Sequence, residues 1–343
     1  MAVAQEAIQK KKFGDVVLDV RDLRTYLYTR WGTTKAVDGV NFQVREGETL
    51  GIVGESGCGK SMTALSLLRL APKPAARTVS GEILLDGVDL LKLSEEEMRE
   101  YRGRKISMIL QDPQTSLDPL FTVGDQLVET LIAHQKGPTP KKALWDRAVD
   151  ALRQVRVADP ERRMSAYPHE MSGGMKQRVV GATALLSRPR VLIADEPTTA
   201  LDVTIQAQYL RLLKRVQDET GVSIIFITHD MGVVAKMCDR AVVMYAGRIV
   251  EHGTVRELFN TPTHPYTQAL LASVPRLEKR VDRLYSIEGQ PPALFDLPDG
   301  CRFAPRCQYA DDRCRAEYPP TFTSPTGHDV ACWRQEETWP RKP

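Results

Sequence analysis

Apolar residues along this chain follow two rhythms, and the change from one to the other outlines the fold. Residues 16–20 alternate as a half-buried strand does, and 37–44 and 49–53 read as further strands with a turn at Glu46-Gly47. From Ser61 the spacing turns helical through Leu65 and Leu68 until Pro72 and Pro74. Ser94-Glu95-Glu96-Glu97 is a capping box that opens another helix. Residues 124–132 and 141–155 are helical by period, and a further helix follows Ser172 and runs to Arg188-Pro189. Two short, wholly apolar runs, 191–195 and 223–228, read as buried strands. Between them lies an amphipathic helix over 204–219, with Ile205, Tyr209, Leu212 and Val216 on one face and Gly221 as its stop. Residues 241–245 and 248–251 flank Ala246-Gly247 as a hairpin, and Thr254-Val255-Arg256-Glu257 is a second capping box. Strands that alternate with helices predict an α/β core with a parallel sheet.

The same pattern divides the chain. Residues 1–15 are polar, carry Lys10-Lys11-Lys12 and read as a flexible tail. Residues 16–260 form one large domain, with an inserted helical subdomain at about 112–185. Residues 261–343 form an extension rich in Pro, Arg and Cys. With 42% apolar and 27% charged residues the composition is that of a globular protein. A net charge of +3, with both signs interspersed, argues against a nucleic-acid partner. No apolar run reaches the ~18–20 residues needed to span a bilayer, so any membrane role is expected through a partner.

The sharpest chemistry lies at Gly54-Glu55-Ser56-Gly57-Cys58-Gly59-Lys60-Ser61, followed by Met62, between a predicted strand and a predicted helix. This is the Walker A pattern in the context it requires. Its glycines let successive N–H groups turn toward phosphate oxygens, and the helix start adds positive potential. Lys60 is expected on the β- and γ-phosphates of ATP and the Ser61 hydroxyl on Mg²⁺. The strand 191–195 delivers Asp195, expected to hold Mg²⁺ through water, and then Glu196, placed to polarise the attacking water.

Met171-Ser172-Gly173-Gly174-Met175-Lys176-Gln177-Arg178 resembles the signature motif of ABC ATPases, with Met in place of its usual first and fifth residues. Gln111 resembles the family's Q-loop glutamine, Ala200-Leu201-Asp202 its D-loop and His229 its switch histidine, all in the family's order. The resemblance implies a P-loop NTPase of ABC type: an antiparallel β subdomain, a parallel-sheet core, a helical subdomain and a small C-terminal extension. It implies catalysis by Glu196, His229 and Gln111, with Gln111 also near Mg²⁺. It implies a head-to-tail dimer with a second, identical or homologous ATPase subunit, in which Ser172, Gly173, Gly174 and Asp202 act in trans. Two transmembrane permease subunits and, indirectly, an extracellular substrate-binding protein complete the assembly at the cytoplasmic face of the membrane. An aromatic residue of the first strands stacks on adenine in this family; Tyr26, Tyr28 and Trp31 are candidates, and Tyr28 is preferred.

Gln111-Asp112-Pro113-Gln114-Thr115-Ser116-Leu117-Asp118-Pro119 and His264-Pro265-Tyr266-Thr267 are similar to stretches of dipeptide/oligopeptide importer ATPases. That group also serves nickel, glutathione and some sugars, so peptide is the expected cargo and these are the alternatives. A nucleic-acid-associated ABC ATPase is disfavoured by one cassette, near-neutral charge and no long heptad array. A non-catalytic cassette is disfavoured because Glu196 and His229 are both present. Cys301, Cys307, Cys314 and Cys332 follow a C-x5-C-x6-C-x17-C spacing. Four soft thiolates suit a [4Fe–4S] cluster or tetrahedral Zn²⁺, and unliganded thiols or an oxidised disulfide are the third reading. Some peptide-importer ATPases carry a [4Fe–4S] cluster in this extension, so the resemblance implies the cluster. Its remoteness in sequence from the Walker motifs gives no reason to expect electron transfer in the ATPase cycle, and Cys301→Ser is expected to destabilise the extension while leaving the isolated cassette's nucleotide affinity largely intact.

Overall fold

The computed structural model describes residues 13–30, 32–112, 115–135, 137–199, 201–274 and 285–342. Lys10-Lys11-Lys12, Trp31, Pro113-Gln114 and Ala200 lie outside the described residues. The strands, in chain order, are β1 (Val16–Thr29), β2 (Gly32–Arg45), β3 (Thr49–Val53), β4 (Ala76–Leu85), β5 (Val88–Asp89), β6 (Ile106–Ile109), β7 (Val191–Asp195), β8 (Ser223–Thr228), β9 (Arg240–Tyr245), β10 (Arg248–Thr254), β11 (Phe322–Thr323) and β12 (Asp329–Val330).

Two sheets result. One is antiparallel, in the order β2-β1-β4-β5. The other runs β11-β12-β10-β9-β3-β8-β7-β6 and is parallel from β9 to β6. Every residue of β3, β7 and β8 is buried, which is why their sequences show no alternation. Each large aliphatic side chain so placed contributes roughly 1.5–3 kcal/mol by leaving water. The strand-to-helix alternation therefore yields the parallel core and antiparallel sheet expected from the resemblance.

Helices Val123–His134, Lys141–Gln154 and Gly173–Leu185 pack around Leu127, Leu131, Leu144, Leu152 and Val179. The two predicted capping boxes are present, at Ser94 with Glu97 and at Thr254 with Glu257. The helix after the phosphate loop is shorter than its periodicity suggests, Lys60–Leu67, because Arg69 takes a left-handed conformation (φ 54°) and ends it. Strands β4 and β6 and the helix Met231–Met237 were not anticipated from the pattern.

The C-terminal segment does not stand apart. Strands β12 and β11 continue the main sheet beyond β10. Phe303 joins Val243, Tyr245 and Tyr266 in one apolar cluster. The helix Pro265–Ala272 begins with Pro265, and the ring of His264 accepts the Tyr266 N–H as its cap. Burial pushes His264 down to about 4, so it stays neutral and keeps a ring nitrogen free to accept.

Candidate nucleotide site

The phosphate loop spans the end of β3 and the start of helix Lys60–Leu67. Two of its glycines are sterically fixed. Gly54 has φ 154°, and a Cβ there would lie 2.1 Å from the Met244 carbonyl oxygen. Gly59 has φ 108°, and a Cβ there would lie 2.1 Å from the Ala36 carbonyl oxygen. The loop is thus wedged between β9 and β2, and neither position admits a side chain. Ser56 and Gly57 are exposed at its crest, while Cys58 is buried and its thiol is raised by that burial. Lys60 Nζ donates to the carbonyls of Gly54 (2.8 Å) and Glu55 (2.9 Å), drawing the loop's first turn over its own ammonium.

Asp195 and Glu196 follow β7 to the same end of the sheet. Asp195 is buried, and its Oδ1 has no hydrogen-bond partner. Burial, with Glu196 adjoining, raises its carboxyl, against the opposing Ser61 hydroxyl bond and the charge of Lys60. A buried carboxylate oxygen left without a hydrogen-bond partner, with the Ser61 hydroxyl on the same side, is a donor set that fits Mg²⁺. Glu196 sits at φ 44°, left-handed for a non-glycine, with its N–H held by the Ile227 carbonyl. Such strain persists where the surroundings over-determine it.

Those surroundings gather the predicted residues. Gln111 Nε2 donates to Glu196 Oε2 at 3.0 Å, and Thr199 Oγ1 donates to the same oxygen at 3.0 Å. His229 Nδ1 lies 3.1 Å from Oε1. Burial alone would push the Glu196 carboxyl up, but the His229 and Thr199 bonds and the charges of His229 and Lys60 outweigh it and hold it low. Thr199 was missed in the sequence, where a Thr two residues beyond Pro197 carries no signal of its own.

Ser172 caps the helix Gly173–Leu185 by accepting the Met175 N–H, and Asp202 caps Val203–Thr220 by accepting from Thr204 and Ile205. Among the described residues no hydrogen bond or ion pair ties Ser172, Gly173, Gly174 or Asp202 to the phosphate loop. Tyr26 Oη is committed to Asp38 at 2.7 Å. Tyr28 is 47% exposed, with Arg77 over its ring at 5.8 Å. Met62 is partly buried against the core between the sheets.

The four clustered cysteines line a single apolar pocket together with His264, Phe303 and Trp333. Burial pushes Cys301 and Cys332 up to about 11, and raises Cys307 and Cys314 less. Among the described residues no group of three or more His, Cys, Asp or Glu is placed to hold a metal ion.

The extension reaches the nucleotide site, a contact that the sequence did not reveal. Arg306, between two of the cysteines, pairs with Glu55 of the phosphate loop through Nη1–Oε2 (2.7 Å) and Nη2–Oε1 (3.1 Å). Tyr266 Oη accepts the Glu55 N–H at 2.9 Å. Residues 251 and 211 positions apart meet here because β9 delivers Tyr245 and Met244 beside the loop and the extension packs on that strand.

Comparison with known proteins agrees with this geometry. Residues 37–199 match the family model described as ABC transporter, and 250–314 the one described as oligopeptide/dipeptide transporter, C-terminal region. The chain is 54% identical over 96% of its length to a probable peptide ABC transporter ATP-binding protein, y4tR, of Sinorhizobium fredii, covering 98% of that protein. It is 50% identical to the dipeptide transport ATP-binding protein DppD of Bacillus subtilis, covering 94% of this chain and 95% of that one. Among solved structures, the dimeric ATP-binding cassette MJ0796 bound to ADP and Pi is 27% identical, with a TM-score of 0.62 over 70% of this chain and 99% of that one. CbiO1 of Clostridium perfringens is 30% identical, with a TM-score of 0.61 over 72% and 92%. The chain belongs to the ATP-hydrolysing subunits of the ABC transporter family, in the branch that carries the oligopeptide/dipeptide C-terminal region.

Proposed function

We propose that this protein hydrolyses ATP to power uptake of di- and oligopeptides through a membrane permease. The observation that carries the chemistry is the carboxylate of Glu196, gripped by Gln111, Thr199 and His229 beside the buried carboxylate of Asp195. The likeness of nearly the whole chain to peptide-transport ATP-binding proteins carries the cargo. Gly54, Glu55, Ser56, Gly57, Cys58, Gly59, Lys60, Ser61 and Met62 form the segment that receives ATP, with Lys60 moving from the loop carbonyls to the phosphates. Mg²⁺ bound with ATP neutralises phosphate charge, and Ser61, Asp195 and Gln111 would hold it. Glu196 orients and polarises the attacking water, and His229 and Gln111 hold Glu196 in place. Tyr28 presents the exposed ring for adenine. Ser172, Gly173, Gly174 and Asp202, which among the described residues make no hydrogen bond or ion pair with this chain's own phosphate loop, serve the nucleotide of a partner subunit in a head-to-tail dimer. No helix among the described residues is long and apolar enough to cross a membrane. The permease subunits therefore supply the pore, with this subunit on their cytoplasmic face and a substrate-binding protein delivering cargo outside. The test is reconstitution with the permease and its binding protein. ATP-dependent peptide uptake supports the reading, and uptake of nickel, glutathione or sugar without peptide overturns the cargo.

Coupling runs through the surface that begins at Gln111. Leu120 is 80% and Phe121 54% exposed, so both are surface rather than core. Phe121, Leu110 and Ile132 rim a groove of about 1100 Å³ between the main sheet and the helices. Short cytoplasmic helices of the permease fit a groove that sets apolar anchors among polar residues. Phe121→Ser is expected to cut transport about tenfold, as loss of an apolar anchor does, and to change basal ATP turnover little. Equal losses of transport and turnover would refute a coupling role.

We infer further that Cys301, Cys307, Cys314 and Cys332 hold a [4Fe–4S] cluster. Each thiolate of such a cluster binds a different iron, so its ligands are spread around a pocket rather than converged on one point. Four thiols around one apolar pocket support this reading, and the cluster would cross-link a segment with few apolar residues of its own. Anaerobic purification should give iron and acid-labile sulfide in equal amounts. Stoichiometric zinc without iron would replace the cluster with a zinc site, and four free thiols without metal would refute both.

A further inference from the structure

Glu55 is an acidic residue inside a loop that must accept a polyanion. Its backbone and side chain are all engaged: the N–H by Tyr266, the carbonyl by Lys60, and the carboxylate by Arg306. Arg306 is only 4% exposed at its side chain, and its guanidinium also bonds the carbonyls of Ile287 and Glu288 and the hydroxyl of Tyr245. Its fork is fixed before it meets Glu55. A bidentate Arg–carboxylate pair places two parallel N–H groups against two oxygens and cancels the charge locally. Without it, the Glu55 carboxylate would face the triphosphate uncompensated.

The loop that carries Arg306 is built on the cysteine pocket. Cys301 N–H donates to the Cys314 carbonyl at 2.7 Å, Ala304 N–H to Cys301, and Cys307 N–H to Ala304. The intervening Phe303 packs edge-on against Tyr245 at 5.3 Å and tilted against Tyr266 at 5.4 Å. Tyr245 and Tyr266 are themselves 4.6 Å apart. One aromatic cluster therefore fixes both groups that reach Glu55, and the cysteine-lined pocket closes its other side.

We propose that Arg306 and Tyr266 are positioning residues of the phosphate loop, and that Arg306 acts chiefly by neutralising Glu55, so that ATP affinity depends on the C-terminal extension being in place. This rests on the reading of residues 54–61 as the phosphate site. The Glu55 side chain is 26% exposed, so solvent screens the pair and the expected effect is moderate.

The experiment compares wild type, R306Q, E55Q and E55Q/R306Q in the assembled transporter, by ATP turnover and by equilibrium binding of a fluorescent ATP analogue. R306Q should raise KM for ATP and weaken analogue binding about tenfold, equivalent to ~1.4 kcal/mol, with kcat within about twofold. E55Q alone should bind ATP more tightly than wild type, because the Arg306 charge is then left uncompensated beside the phosphate loop. The double variant should recover most of the affinity, because the uncompensated charge is gone. R306K, which keeps the charge and loses the fork, should fall between. A double variant as weak as R306Q, or an E55Q variant weakened to the same degree, would overturn charge neutralisation. Should R306Q not fold, R306K and E55Q still decide, since R306K at wild-type affinity together with a weakened E55Q reverses both expectations. Failure of wild type to bind the analogue would instead overturn the phosphate-site reading.

Discussion

Glu196→Gln is expected to abolish steady-state ATP turnover, by about 10²–10⁴-fold, while Mg-ATP binding persists. The amide keeps the shape of the carboxylate and can still bond Thr199 and His229, but it lacks the negative charge that polarises water. The site is arranged to keep that charge. His229 at 3.1 Å, Thr199 at 3.0 Å and Gln111 at 3.0 Å all address the two carboxylate oxygens, and Lys60 adds positive potential. Their combined effect holds the carboxyl below its ordinary range despite burial. The sign follows for the acid limb of activity: a lowered carboxyl stays ionised further into acid, so turnover should not fall through the ordinary glutamate range. His229→Ala removes one of those supports and should move the acid limb upward. Binding measured by analogue fluorescence and turnover measured by phosphate release separate the two effects. Near-normal turnover by Glu196→Gln in the assembled transporter would remove Glu196 from the catalytic role.

Much of this site was legible because its chemistry is local. Gly54 to Ser61 is a continuous stretch whose glycines and lysine declare their purpose by spacing, and β7 and β8 are apolar throughout because both faces are covered. Strand β4 was not legible. It pairs with β1, but Arg77, Ser80 and Glu82 interrupt its apolar pattern and only Ala76, Ile83 and Leu85 are buried. Strands β11 and β12 are two residues each, too short for any period to show, and form only because β10 offers an edge. The clasp on Glu55 was hidden for a different reason. Arg306 lies among other arginines in a Pro-rich segment, and what distinguishes it is a partner 251 residues away. Charge complementarity at that range is a property of the fold, and neither residue alone predicts it.

The same limit applies to Asp38, whose replacement by Ala is expected to cost about 3–5 kcal/mol of stability, the usual effect of stranding a buried cation. Asp38 is 3% exposed at its side chain. Arg24 Nη1 reaches Oδ1 at 2.8 Å and Tyr26 Oη donates to the same oxygen at 2.7 Å. Arg248 approaches Oδ2 at 3.3 Å, and Arg302 of the extension donates to Oδ2 as well. One carboxylate thus ties the antiparallel sheet, the hairpin after β9 and the cysteine-bearing extension together. Burial alone would raise it, but the Tyr26 bond and the charges of Arg302 and Arg248 outweigh that and bring it down to about 2. Arg302 carries the converse penalty: burial lowers its guanidinium, and Asp38 is the acid that offsets this. Because the folded value lies below the unfolded one of about 3.9, the stabilisation is fully present at neutral pH. It is lost as pH falls from about 4 toward about 2. Denaturant unfolding of wild type and Asp38→Ala should therefore show a wide gap at pH 7 that narrows below pH ~4. A gap of constant width across that range would mean that Asp38 stabilises the fold by its shape and not by its charge. Asp38→Asn, which keeps the shape, should behave like the Ala variant if the charge is what the three arginines require.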